Sequence, residues 1–293
     1  MKNIKLLLIF LIGFNVTLQA QTKKATNTLL WEISGKGLKK PSYLFGTHHL
    51  VDAKFADTMK VLQEKLKSVD AVVGEILMDS TMRTKLAPFL IMKNNTLDSL
   101  LTKAEYKEVE DYFKSKEPDF DLKQLNNFKP AMVSIMASLF DDPDVQKGLN
   151  NGIDDSFQKY AKRNAKLVFG LETAEYQGAL LFDNDLQKQT KALLKSIRET
   201  AKTKEKMKQL KTDYLAQDMD KLTILFKDLD EENKEFMTEL LKNRNKRWLD
   251  QLPVLMEKQS LFIAVGAGHL VGNEGLIKGL QTLGYTLKPI ATN

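Results

Sequence analysis

Short apolar runs alternate with long stretches of helical spacing, and this alternation lays out the chain. Residues 29–33 (LLWEI) read as a strand, residues 35–41 supply two glycines and a proline for a turn, and residues 43–46 (YLFG) read as a second strand. Together they predict a hairpin. Residues 55–69 then place Met59, Leu62 and Leu66 at three- and four-residue steps, a helical period. A third apolar run follows at residues 71–77 (AVVGEIL). Strand, helix and strand over this length make a βαβ unit, which favours a parallel pair.

From Met78 to Asn164 the pattern is mainly helical. Thr102 and Glu105 form a capping-box pair, and Pro130 opens a helix carrying Met132, Ile135, Met136 and Leu139. Gly152-Ile153-Asp154 leads into another helix through Phe157, Tyr160 and Ala161, and residues 167–172 (LVFGLE) read as a fourth strand. A second helical block, residues 173–257, is rich in Lys and Glu, with Met207, Leu210 and Tyr214 at helical steps. Its charges read as solvated faces. A fifth strand at residues 261–265, a helix through Leu276 and Leu280, and a last strand at residues 286–290 complete the chain. The two helical blocks exceed ordinary crossovers and read as insertions that cover one side of the sheet and wall a cleft. The predicted class is α/β, a central mostly parallel sheet with flanking helices and two large helical insertions.

Four of the strands end alike, in an apolar run, a glycine and a chemically active side chain. His49 follows Gly46, Glu75 follows Gly74, Glu172 follows Gly170, and His269 follows Gly266 and Gly268. The chain has three histidines, and these strand ends hold all of them, since His48 precedes His49. In an open parallel sheet, ligands bind in the crevice beyond the carboxyl ends of the strands. If the four strands are parallel neighbours, two imidazoles and two carboxylates converge there, an oxygen–nitrogen set suited to a divalent metal ion. Adjacent His48 and His49 point to different sides, so one of them faces the site. Each residue also has a plainer reading. Glu75 can pair with a lysine or cap a helix, and Glu172 and Glu175 can stabilise the positive start of the helix after them.

Composition narrows the class. The formal charge is +6, falling to +4 without the first twenty residues, which contain Lys2 and Lys5. An excess that small, with no arginine-rich stripe, argues against a nucleic-acid partner. Residues 1–20 run from that basic start through an apolar core to Ala20, the order of a secretory signal peptide cleaved before Gln21. An uncleaved N-terminal anchor is the alternative. The expected organisation is a signal peptide, residues 1–20, and one domain, residues 21–293, in the periplasm or secreted, with no stable membrane span after cleavage. The absence of cysteine excludes disulfides, lipoprotein attachment and thiolate metal ligands.

These residues resemble the TraB/GumN (PrgY-like) family, which is related to the Tiki metalloproteases and more distantly to erythromycin-esterase-like and ChaN-like proteins. The resemblance rests on two GxxH motifs, Gly46-Thr47-His48-His49 and Gly266-Ala267-Gly268-His269, with Glu75 and the segment Glu172-Thr173-Ala174-Glu175-Tyr176-Gln177 between them. It extends to Arg244 within Asn243-Arg244-Asn245, and to Gly152-Ile153-Asp154 and Tyr214-Leu215-Ala216-Gln217-Asp218. Tyr176 stands where a further acidic residue is common in the family. The resemblance implies a divalent-metal-dependent hydrolase, a peptidase by analogy with Tiki, using manganese, cobalt or zinc. His49, Glu75 and His269 would hold the ion, Glu172 would act as general base or fourth ligand, and Arg244 would hold an oxyanion or substrate carboxylate. The alternative is a protein that captures a peptide or small ligand, haem included, in the same cleft without chemistry.

Overall fold

A computed structural model describes residues 27–141 and 151–293; the segment read as a signal peptide, residues 1–20, lies outside the described residues. Six strands form one sheet: β1 (Leu30–Ser34), β2 (Ser42–Thr47), β3 (Ala71–Ile76), β4 (Leu167–Glu172), β5 (Leu261–Gly266) and β6 (Thr286–Ile290). Their order is β4-β3-β5-β2-β1-β6. The β1–β2 hairpin is antiparallel as expected, and β6 lies antiparallel to β1 on its other side. Its turn uses Gly35, Lys36 and Gly37 in succession, all with positive φ. Glycine tolerates that conformation without a Cβ clash.

The four strands that end in chemistry are parallel neighbours, so the condition set by the sequence is met. Thr47 stands opposite Gly266, and Gly74 opposite Gly170. The strand ends therefore lie at one level. One expectation is corrected: β3 runs parallel to β2 but does not pair with it, because β5 lies between them. Strand β5 is apolar on both faces and buried until its last residue. Such a strand is stable only where both faces are covered and both edges are paired, which is the centre of the sheet.

Alternation along each strand feeds two cores. Tyr43, Phe45, Val72, Phe262 and Ala264 face Met59, Leu62, Leu66, Phe157 and Tyr214 on one side. Leu44, Ala71, Val73, Ile263 and Val265 face Trp248, Leu252, Met256, Leu276 and Leu280 on the other. Each fully buried side chain of this size contributes about 1.5–3 kcal/mol. The helical insertions thus differ from expectation. The second block does not keep to one side of the sheet: Tyr214 and Leu222 pack on one face and Trp248, Leu252 and Met256 on the other. The period-2 exposure of apolar residues on both faces demands it.

The first block gives Ile153, Phe157 and Ala161 to the first of these cores and otherwise builds a third. Leu97, Val109, Phe113, Leu122 and Val133 pack with Leu193 and Leu194 from the second block. Helix Pro130–Asp141 lies along helix Leu186–Arg198, and helix Met82–Leu90 along helix Ala174–Phe182. At that last contact a Cβ on Gly178 would stand 2.7 Å from the Phe89 ring, so glycine sets the approach. Helices Met82–Leu90 and Ala174–Phe182 contribute Met82, Arg83, Leu86 and Gln177 to the wall of the cleft.

Candidate functional site

His49 stands two residues past β2. Its Nδ1 lies 2.9 Å from Asp154 Oδ2, and the Thr47 hydroxyl donates to Asp154 Oδ1 at 2.7 Å. Asp154 occupies the first turn of helix Ile153–Arg163, where the helix dipole favours a carboxylate, and is itself buried. The Asp154 charge raises the His49 pKa to about 9, although 59% of the imidazole is open to the cleft. His48 turns the other way. Its Nδ1 accepts the Leu50 N–H at 3.2 Å, its ring meets Tyr214 edge-on at 5.2 Å, and burial pushes its pKa down to about 4.

His269 lies in the single helical turn after β5 and is buried. Its Nδ1 is 2.7 Å from Asn245 Oδ1, while the Asn245 amide nitrogen donates to the carbonyls of His269 and Glu274. That arrangement makes the Asn245 oxygen an acceptor and places the ring proton on Nδ1. The Nε2 lone pair then faces the site, and Arg244 Nη1 donates to it at 3.0 Å. Burial, with the positive charge of Arg244 beside it, lowers the His269 pKa to about 3, so the ring is neutral. Trp248 lies against it with 4.3 Å between ring centroids.

Glu75 is the penultimate residue of β3, which flanks β5 on the side opposite β2. Its Oε1 accepts the Gly266 N–H at 2.8 Å and lies 3.7 Å from His269 Nε2; its Oε2 accepts from Arg244 Nη2 at 2.5 Å and from Gln177 Nε2 at 3.1 Å. Burial alone would raise its pKa, but its electrostatic interactions with His269, His49 and Arg244 and the Gly266 N–H outweigh that and hold it below the ordinary carboxylate range. A Cβ on Gly266 would stand 3.3 Å from Glu75 Oε1, 3.7 Å from His269 Cδ2 and 3.9 Å from His49 Nε2. The three side chains therefore gather over this one glycine.

Arg244 joins these groups from behind. It is 2% exposed, although the charged helix that carries it suggested solvent. A π-helical turn, Thr238–Lys242, precedes it and leaves the Leu240 carbonyl to accept from Nη1 at 3.0 Å. Nε and Nη2 both reach Glu172, and Nη2 also reaches Glu75. All five guanidinium N–H donors are thereby used. The guanidinium lies 4.7 Å from the Trp248 ring, a cation–π contact.

The structure brings His49, Glu75, Glu172, Arg244 and His269 together, as their strand-end positions and the family resemblance led one to expect. Two roles read from the sequence do not suit this arrangement. Glu172 has both carboxylate oxygens on Arg244 instead of free to take a proton, and Arg244 has no donor left for an oxyanion. Asp154, Asn245 and Trp248 were not assigned roles from the sequence. Asp154 and Asn245 stood inside quoted motifs, but nothing local marks either as a histidine partner. Tyr176 packs on Arg247, with its ring 4.4 Å from the guanidinium, away from the acids. In front of the cluster opens a cleft of about 670 Å³, lined by His49, Glu75, Met82, Arg83, Asp154 and Lys159 among others.

The donors fit a divalent cation in kind. His269 Nε2 faces the Glu75 carboxylate, His49 Nε2 lies beside the same glycine, and each Nδ1 is pinned by a side-chain oxygen, the outer-shell arrangement that metal-binding histidines use. Among the described residues no three such groups form a ready cage, and Arg244 rests on two of the donors.

Strand-end acids and imidazoles beyond a mostly parallel sheet, beside a cleft walled by helices, define an α/β protein with a polar cluster at its strand ends. The chain belongs to the TraB/PrgY/gumN family, whose model matches residues 29–289. It matches no curated protein and no solved structure.

Proposed function

We propose that this protein is an exported, metal-dependent hydrolase acting on peptides. The observation that carries the reading is the meeting of His49, Glu75 and His269 over Gly266, with His49 and Glu75 lining the cleft and His269 buried behind them. These three would hold the ion, and a divalent cation there supplies Lewis-acid polarisation of a carbonyl and acidifies water. The chain's own residues do the rest. Asp154 and Asn245 fix the two ring orientations so that both Nε2 atoms are presented together. The Gly266 N–H and Gln177 hold the Glu75 carboxylate in place. Glu172 holds Arg244 in the interior. The cleft offers apolar wall at Met78, Met82 and Leu86 and a cation at Arg83, a surface that receives a chain carrying both side-chain types.

The test is cleavage of a peptide library by the purified mature chain, without a histidine tag, loaded with manganese, cobalt or zinc. Cleavage that stops with chelator supports the reading. Stoichiometric capture of peptide without turnover would replace it with a binding protein that uses the same cleft. The export part of the reading is supported by the basic, apolar, small-residue pattern of residues 1–20. Intact mass of the native protein is expected to place the N-terminus at Gln21, and a retained Met1 would favour an anchor.

A further inference from the structure

A cation already sits among the acids, and it belongs to the chain. His269 Nε2 has one lone pair, and Arg244 Nη1 donates to it at 3.0 Å. Nδ1 offers no alternative, because it carries the proton given to Asn245. Ligation of an ion by His269 and its present contact with Arg244 are therefore mutually exclusive. Glu75 is shared in the same way, one oxygen taken by Arg244 Nη2 at 2.5 Å and the other turned toward His269 Nε2 at 3.7 Å. Two buried carboxyl groups, Glu75 and Glu172, face the one guanidinium. Glu172 alone can keep Arg244, since it receives Nε and Nη2 in a two-pronged contact.

We propose that Arg244 is an internal competitor for the metal position: it stabilises Glu75 and His269 while no ion is bound, and withdraws onto Glu172 when a divalent cation takes them. Glu172 is on this account a positioning residue that acts through Arg244. The proposal rests on the metal-site reading above but not on hydrolysis. It accounts for a site whose donors fit an ion in kind yet lie under a guanidinium.

The experiment titrates MnCl2 into the chelator-treated full mature chain by calorimetry, with a melting curve at each loading. Trp248 supplies a second readout, since it touches both His269 and Arg244, and Trp31→Phe leaves it as the only indole. Arg244→Met is expected to melt earlier than wild type when ion-free, to be restored by manganese, and to bind it at least about tenfold more tightly. Should Arg244→Met fold only with manganese present, that also supports the proposal. Arg244→Lys keeps the charge but cannot span His269 and both acids, and should bind manganese more tightly than wild type by a smaller factor. Glu172→Gln should weaken binding in wild type and have no effect in the Arg244→Met background. Arg244→Met and Arg244→Lys binding no tighter than wild type would overturn the proposal while leaving the metal reading intact. A Glu172→Gln loss that persists without Arg244 would make Glu172 a ligand and overturn its positioning role. Tight binding in Arg244→Met with no peptide cleaved by wild type supports the proposal and removes the peptidase. No manganese bound by any variant would overturn both.

Discussion

His49 and His269 each stand three residues after a glycine at the end of a parallel strand, yet they occupy opposite surroundings. His49 is open to cleft water and held by the carboxylate of Asp154, which favours its charged form. His269 is buried between an indole, an amide and a guanidinium, which favour its neutral form. The repeated motif places two rings at matching positions. The helix that arrives opposite each ring then decides its charge, one bringing an acid in its first turn and the other an amide after a π-helical turn. Equivalent sequence positions are therefore not equivalent chemically. Removing one of these side chains should also be felt differently from removing the other.

The largest effect is expected at the packing beneath the buried member. Trp248 is fully buried and supports both His269 and Arg244. Trp248→Ala should cost about 3–5 kcal/mol of unfolding free energy by urea titration. A loss below about 1 kcal/mol would show that the buried surroundings collapse around the gap and are not a rigid frame.

Next comes the pair itself. His269→Ala strands the Asn245 oxygen and an Arg244 donor in the interior and should cost about 2–3 kcal/mol. His49→Ala leaves Asp154 bonded to Thr47 and faces water, so its cost should stay within about 1 kcal/mol. Equal losses in the two variants, measured side by side on ion-free protein, would break the contrast.

The smallest and most diagnostic effect is in pH. The folded pKa of His49 is raised from 6.5 to about 9, so its contribution to stability is full below 6.5 and is lost as pH rises through about 9. That of His269 is lowered from 6.5 to about 3, so its neutral ring favours folding above 6.5, and stability falls as pH drops from there toward about 3. Ion-free protein should therefore lose stability on both sides of 6.5, for separate reasons. Asp154→Asn should flatten the alkaline side, while the acid side, to which buried His48 contributes alongside His269, should persist. An alkaline slope that survives Asp154→Asn would assign it to another group.

Much of this architecture was legible before any coordinates. Six apolar runs, each bounded by turn residues, became six strands, and four glycine-marked ends aligned because parallel neighbours share one direction. Pattern alone could not show that β5 would insert between β2 and β3, since sheet order depends on which strand best tolerates burial on both faces. Nor could it pair His49 with Asp154, which lies 105 residues away.

The sequence by itself determined which residues end the strands and hence which imidazoles and acids can meet, because periodicity and glycine placement are local properties of the chain. Only the tertiary structure decided what each of them touches. Arg244 lies on a helix whose charges suggested solvent, yet it is drawn inside by Glu75 and Glu172, 169 and 72 residues earlier. A buried cation is tolerable only where its counter-charges are already in place, and that condition exists only once the sheet has assembled.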